Sequence, residues 1–175
     1  PPRSTLFPYT TLFRSVGEAD FTKGAFGELG FETIFDGIII KPGKPTVFGK
    51  IGDTYVLNLP GNPLAAGLIF EMFGKIAVES LKGSSKKYHG FILAKLGVDI
   101  KNKAGRITVM PGFFDGEYFV PALKMSPGMV SVLSDCNSMI ALDSDVADLK
   151  QNDVVKVLPI NWKFLTNEYK DFLTR

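Results

Sequence analysis

The sequence predicts part of a layered α/β domain followed by a small all-β barrel or sandwich. In residues 15–83, apolar residues at helical spacing alternate with runs of β-prone residues. In residues 91–160, short β-prone runs recur between Gly, Asn, Asp and Pro turns, which is typical of a barrel. The polar, glycine-bounded residues 84–90 indicate a linker, and residues 161–175 carry an apolar stripe that predicts a terminal helix.

The strongest helix prediction follows Asn62. This residue is a favourable N-cap, Pro63 suits the first helical position, apolar residues follow at helical spacing, and Gly83 stands just past the end. A shorter helix and three β-prone runs precede it, at residues 21–29, 31–40, 46–49 and 55–59. The later β-prone runs are residues 91–98, 106–110, 118–123, 129–133, 138–142 and 154–158. The aromatic residues expected in the barrel core are Phe113, Phe114, Tyr118 and Phe119.

The composition excludes several classes of protein. With 175 residues, of which 45% are apolar and 22% charged, the chain has the composition of an ordinary globular protein. No apolar run approaches the ~20 residues of a membrane span and no signal-like N-terminus is present, so we expect a cytoplasmic protein without a membrane partner. The single cysteine, Cys136, allows no internal disulfide and is expected to be a small buried side chain.

The N-terminal residues 1–14 differ from the rest. Residues 5–15 resemble the conceptual translation of a sequencing adapter, so residues 1–14 are treated as an artefactual or disordered segment and the chain is expected to be a fragment. They contain Arg3 and Arg14 but no acid, and without these two charges the formal net charge falls from +2 to 0. The sequence therefore predicts no nucleic-acid partner.

The first candidate site is the sequence KPGKP at residues 41–45, which follows an apolar strand. Its two prolines stiffen the backbone that carries Lys41 and Lys44, and Gly43 lets backbone amides approach an oxyanion closely. Such a loop favours anions. A plain exposed turn with solvated lysines is the alternative.

The second candidate site is the sequence PGNP at residues 60–63, between a strand and the strong helix. It places the free amides of a helix N-terminus at the end of a strand, which favours an anion. Alone, the same residues fit a simple N-cap. Because one strand pair joins the two loops, we expect them to face one cleft.

A third candidate is the sequence SVGEAD at residues 15–20. It supplies the carboxylates of Glu18 and Asp20, and Asp20 could coordinate Mg²⁺ together with a substrate phosphate. Asp20 could equally cap the helix that begins near Phe21.

Three segments, SVGEAD, IIIKPGKPTVFGK and LNLPGNPLAAG, together resemble the third domain of the bacterial molybdopterin molybdenumtransferases, which are related to gephyrin. The region from Gly105 through SPGMVSVL resembles the fourth domain of that family. The resemblance implies a partial three-layer α/β molybdopterin-binding domain followed by a small β-barrel. It also implies a transferase that converts adenylylated molybdopterin and molybdate to molybdenum cofactor and AMP with Mg²⁺, although the fragment alone is expected to be inactive.

The resemblance also assigns roles to residues. It implies catalytic roles for Asp20, Lys41 and Lys44, with Asp20 as the metal ligand. The implied substrate-binding residues are Gly17, Glu18, Gly43, Pro60, Gly61, Asn62, Pro63 and Ser126. Two positions depart from the family pattern, because Ala65 replaces a serine and Pro111 stands near the place of an arginine.

The implied partners are the small-molecule substrates, a second copy in a homodimer, molybdopterin adenylyltransferase and molybdoenzyme acceptors. A gephyrin-like interaction scaffold and the preceding adenylyltransferase step are the alternative functions. The paired lysines favour catalysis over a scaffold. The β-rich second part disfavours the adenylyltransferase, which normally lacks it.

Overall fold

The computed structural model describes residues 22–85, 88–122 and 131–160. Its helices are α1 (Thr22–Glu28), α2 (Pro63–Ile69), α3 (Lys75–Leu81) and α4 (Ser131–Asp135), and the π-helical turn Phe70–Gly74 joins α2 to α3. Its strands are β1 (Glu32–Asp36), β2 (Ile40–Lys41), β3 (Val47–Ile51), β4 (Thr54–Asn58), β5 (Ile92–Leu96), β6 (Ile107–Phe114), β7 (Tyr118–Pro121), β8 (Ser138–Leu142) and β9 (Val154–Pro159). The candidate segment 15–20, Ser126 and the predicted terminal helix lie outside the described residues.

Strands β1, β3 and β4 form an antiparallel sheet in the order β1-β3-β4. The tight turn between β3 and β4 contains Gly52 at φ +55°, as the turn residues predicted. The prediction of one continuous β-run over residues 31–40 is wrong. The backbone leaves this sheet at Gly37 (φ +92°), whose N–H donates to the Thr46 carbonyl oxygen at 2.8 Å, and β2 then joins the other sheet.

The second sheet closes into a five-stranded barrel in the order β6-β7-β5-β9-β8, because β6 pairs with both β7 and β8. Closure pairs the outer strands with each other and shields their backbone hydrogen-bonding groups. The barrel core consists of Ala94, Leu96, Ile100, Phe114, Phe119, Ile140, Leu142, Val155 and Val157. An α/β part followed by a barrel confirms the predicted fold class.

Helix α4 replaces one predicted β-run of the barrel part. Residues 131–133 were predicted to be extended, and this prediction is wrong because they begin α4. Val132 and Cys136 are four positions apart and both buried, so a helix places them on one face toward the core. Burial at this helical spacing outweighs the β-preference of the apolar residues.

The four aromatic residues expected in the barrel core divide between two faces of their strands. Phe114 and Phe119 are buried in the core, as expected. Phe113 is 38% exposed and Tyr118 is only half-buried, so the prediction is wrong for these two residues. The reason is strand alternation, which turns neighbouring side chains to opposite faces.

Strand β2 connects the α/β part to the barrel. It pairs in parallel with β6, and Lys41 lies opposite Thr108. Beside this pairing, residues of both parts form a single hydrophobic cluster of Ile40, Leu64, Leu68, Ile69, Val109, Val132, Cys136 and Met139. Burial raises the pKa of the Cys136 thiol to about 11, so the thiol stays neutral and apolar, as expected.

Candidate functional site

Hydrogen bonds at its base close the loop of residues 41–45. The Thr46 hydroxyl donates to the Gly43 carbonyl oxygen at 2.6 Å, and the Thr46 N–H donates to the same oxygen at 3.2 Å. The Ile38 N–H donates to the Lys44 carbonyl oxygen at 3.0 Å. Thr46 is fully buried, which shields these bonds from water. Thr46 was not among the predicted site residues, although a threonine hydroxyl that bonds three residues back is a known local turn motif.

Gly43 is the point at which this loop contacts helix α2. It is buried and has φ +136°, a conformation that favours glycine. A Cβ atom at this position would lie 2.6 Å from Ile69 Cδ1 and 2.9 Å from Ile69 Cγ1. Both backbone conformation and packing therefore require glycine here, and Ile69 is a second supporting residue that the sequence did not reveal.

The two lysines of the loop are exposed above this buried base. Neither Lys41 nor Lys44 forms an ion pair with the residues that the structure describes. The described lysines that do form ion pairs are Lys50, Lys75, Lys82, Lys95 and Lys150. The ordered backbone of this loop thus holds two exposed ammonium groups that no acid among the described residues neutralises.

The second loop, residues 60–63, starts helix α2 with a complete N-cap. Asn62 Oδ1 accepts hydrogen bonds from the Leu64 N–H at 3.0 Å and from the Ala65 N–H at 3.5 Å. The Asn62 carbonyl oxygen accepts from the Ala66 N–H at 2.8 Å, and the proline at the first helical position has no N–H. The backbone amides of residues 64–66 therefore all donate to Asn62. The N-terminus of α2 itself can attract an anion through the field of the helix dipole, but not through these amides.

Substitutions of Asn62 test whether its side chain stabilises helix α2 as an N-cap. We expect Asn62→Ala to lower the free energy of unfolding by about 1 kcal/mol, because two helix amides lose their acceptor. Asn62→Asp keeps an acceptor oxygen and should retain the stability of the unsubstituted chain. Urea unfolding followed by circular dichroism measures both changes. Equal stability of Asn62→Ala and the unsubstituted chain would disprove the cap.

The two loops rest on the same hydrophobic cluster. Gly43 contacts Ile69, which belongs to that cluster, and Ile38 and Leu59, which precede the two loops, pack against it. The structure therefore brings the bases of both loops to one helix. The predicted site residues that lie outside the described residues are Gly17, Glu18, Asp20 and Ser126.

The two departures from the family pattern are both buried. Ala65 is 2% exposed within α2, and Pro111 is fully buried in β6 opposite Met139. Neither position presents a polar group to a ligand. The barrel therefore supplies no cation at Pro111.

Two negative findings concern the described part of the chain. Among these residues, no three His, Cys, Asp or Glu side chains are grouped so that they could hold a metal ion. No helix among the described residues has the length and apolar character required to cross a membrane.

Two family models match successive segments of the chain. Residues 14–83 match a probable molybdopterin binding domain, and residues 93–160 match the MoeA C-terminal region, domain IV. The first match covers the α/β part, and the second covers the barrel.

Curated relatives show the same similarity over most of the chain. The molybdopterin molybdenumtransferase of Haemophilus influenzae is 30% identical over 153 residues, which cover 84% of this chain and 38% of that protein. The molybdopterin molybdenumtransferase of Staphylococcus epidermidis is 28% identical over 154 residues, which cover 85% of this chain and 36% of that protein. The chain thus spans only a little over a third of the length of these relatives.

Solved structures share the fold. The molybdopterin biosynthesis MoeA protein from Pyrococcus horikoshii has a TM-score of 0.67 at 28% identity, covering 82% of this chain and 35% of that chain. A molybdenum cofactor biosynthesis protein from Pyrococcus furiosus has a TM-score of 0.63 at 25% identity, covering 73% of this chain and 45% of that chain. Fold and family models together define a class, an α/β segment similar to a probable molybdopterin binding domain joined to a MoeA-type barrel. The chain belongs to the molybdopterin molybdenumtransferase, or MoeA, family.

Proposed function

We propose that the protein of which this chain is part inserts molybdate into adenylylated molybdopterin, giving molybdenum cofactor and AMP. The observation that carries this proposal is the pair of exposed lysines, Lys41 and Lys44, on a loop whose buried base is closed by Thr46. The relatives named molybdopterin molybdenumtransferase support it.

The proposed reaction brings together two negatively charged substrates. Molybdate is a dianion, and the adenylylated pterin carries a pyrophosphate-type bond, so fixed positive charge is needed to offset their repulsion. Because hydrogen bonds and packing already order the loop, Lys41 and Lys44 can hold molybdate or a substrate phosphate with little reorganisation. The residues that we assign to substrate binding are Gly17, Glu18, Gly43, Pro60, Gly61, Asn62, Pro63 and Ser126.

We assign Mg²⁺ to the carboxylate of Asp20, because this ion prefers one or two carboxylates together with substrate phosphate oxygens. Bound Mg²⁺ would neutralise part of the charge on the pyrophosphate.

We further propose a cytoplasmic homodimer. An adenylyl transfer must supply its pterin substrate, so molybdopterin adenylyltransferase is the proposed donor. Enzymes that use molybdenum must consume the product, so molybdoenzymes are the proposed acceptors.

A chimaera tests the proposed function without any assumption about the rest of the protein. Residues 15–160 replace the matching segment of the Haemophilus influenzae relative, and formation of molybdenum cofactor is measured with purified adenylylated molybdopterin at micromolar molybdate. We expect product, with the unmodified relative as the positive control. A chimaera that folds but forms no cofactor would contradict the proposal.

A further inference from the structure

An open, apolar groove lies where the linker meets the end of strand β9. Among the described residues it is lined by residues 88–92, Leu158 and Pro159, and its volume is about 450 Å³. Tyr88 is 90% exposed and Phe91 is 55% exposed, although both are large aromatic side chains. Single exposed apolar side chains are common, but a cluster of them in one groove is typical of a binding surface.

Hydrogen bonds hold both walls of this groove in place. His89 Nε2 donates to the Met72 carbonyl oxygen at 2.6 Å, which fixes the linker to the π-helical turn. At the end of β9, the Ile160 N–H donates to the Asn137 carbonyl oxygen at 3.0 Å. The Ile160 carbonyl oxygen accepts from Lys75 Nζ at 3.2 Å. The groove is therefore preformed, and the chain leaves it at a fixed point.

The sequence of residues 161–175, which follow Ile160 directly, is complementary to such a groove. The apolar residues that recur there at helical spacing are Trp162, Leu165, Tyr169 and Phe172. The charged residues of the segment fall outside this stripe. Trp162 is three positions beyond Pro159, so the two Cα atoms can lie no more than ~11 Å apart. Because the segment is attached beside the groove, its effective concentration there is high.

We propose that residues 161–175 form an amphipathic helix that docks its apolar stripe into this groove, with Trp162 against Tyr88 and Phe91. Burial of apolar surface and aromatic pairing favour this contact over an exposed stripe beside an exposed groove. The docked helix straps the linker that joins the α/β part to the barrel. No residue of the lysine loop takes part, so the docking is independent of the proposed function.

Trp162 is the single tryptophan of the chain, so its fluorescence tests the docking directly. In the 175-residue chain we expect emission at shorter wavelength and weaker quenching by acrylamide than in a synthetic peptide of residues 161–175. Tyr88→Ala and Phe91→Ala should each raise the ratio of undocked to docked segments roughly tenfold, and the double variant should be quenched like the peptide. Tyr55→Ala is the matched control, because it removes an exposed tyrosine of β4 that does not line the groove, and it should leave quenching unchanged.

Docking within one molecule should protect Trp162 equally at every protein concentration. Protection that grows with concentration would overturn the proposal, because the segment would then bind a second copy. Quenching of the unsubstituted chain equal to that of the peptide would also overturn it and would leave the groove to another partner. The same holds for unchanged protection in the double variant, or for an equal loss in Tyr55→Ala. Circular dichroism verifies the fold, which Tyr88→Ala should not disturb because this side chain is almost fully exposed.

Discussion

Lys41→Ala is expected to lower the rate of cofactor formation by the chimaera about 100-fold or more, the usual effect of removing one positioned charge from a site that stabilises an anion. Lys41 is exposed and has no ion-pair partner among the described residues, so its loss should not disturb packing. The initial rate at saturating molybdate measures the change, and circular dichroism verifies the fold. Lys41→Arg keeps the charge and should restore part of the rate.

Lys156→Ala is the control, because it removes the same charge from an exposed position on β9 of the barrel. Its rate should equal that of the unsubstituted chimaera. If Lys41→Ala retained the full rate at low and at high molybdate, Lys41 would be no more than a solvated turn residue. If both lysine substitutions lowered the rate equally, the effect would reflect net charge rather than the loop.

Elements that depend on neighbouring residues were predicted well. The helix after Asn62 begins with the expected cap, and the β3–β4 turn forms at Gly52. Strand β8 has the predicted bounds, Ser138–Leu142. In each case the apolar period and the turn or capping residue lie within one short window, so local physics determines the element.

The sequence-based predictions are wrong where contacts between residues far apart in the chain determine the secondary structure. Residues 31–40 carry an unbroken β-prone pattern, yet Gly37 bonds to Thr46 and releases Ile40 to pair with Ile107, 67 positions later. No local pattern encodes that partner. Helix α4 likewise depends on a core assembled from both parts of the chain.

The candidate site shows the same division. Lys41 and Lys44 were identified by the motif, because charge and proline content can be read from the residues alone. The means of holding them could not be read this way, since the contact between Gly43 and Ile69 exists only in three dimensions. The Leu64 and Ala65 amides, expected to be free at the helix start, donate to Asn62 Oδ1, so the helix itself contributes the field of its dipole rather than these amides.

Gly43→Ala is expected to lower the free energy of unfolding by roughly 3 kcal/mol or more, since strained backbone and overpacking each cost ~1–3 kcal/mol. The added Cβ would lie 2.6 Å from Ile69 Cδ1, and alanine disfavours φ +136°. The Ile69 side chain, the loop or helix α2 must shift. Because Ile69 is fully buried, we expect the loop to move as well, so cofactor formation by the chimaera should also fall. Chemical denaturation and the rate assay measure the two effects.

Gly52→Ala is the control for a glycine of positive φ without steric overlap; its φ of +55° lies in the left-handed helical region, which alanine tolerates better than φ +136°. Gly52 also has a positive φ, +55°, but a Cβ there would meet nothing within 4 Å, so the substitution should cost about 1 kcal/mol of stability and leave the rate of cofactor formation unchanged.

The double variant Gly43→Ala with Ile69→Ala separates steric overlap from backbone strain. It relieves the overlap but leaves the strained backbone and opens a cavity. If the overlap dominates, the double variant should be less destabilised than the sum of the two single variants, which is a favourable coupling between residues in contact. Strictly additive losses would show that Gly43 is required by backbone conformation alone.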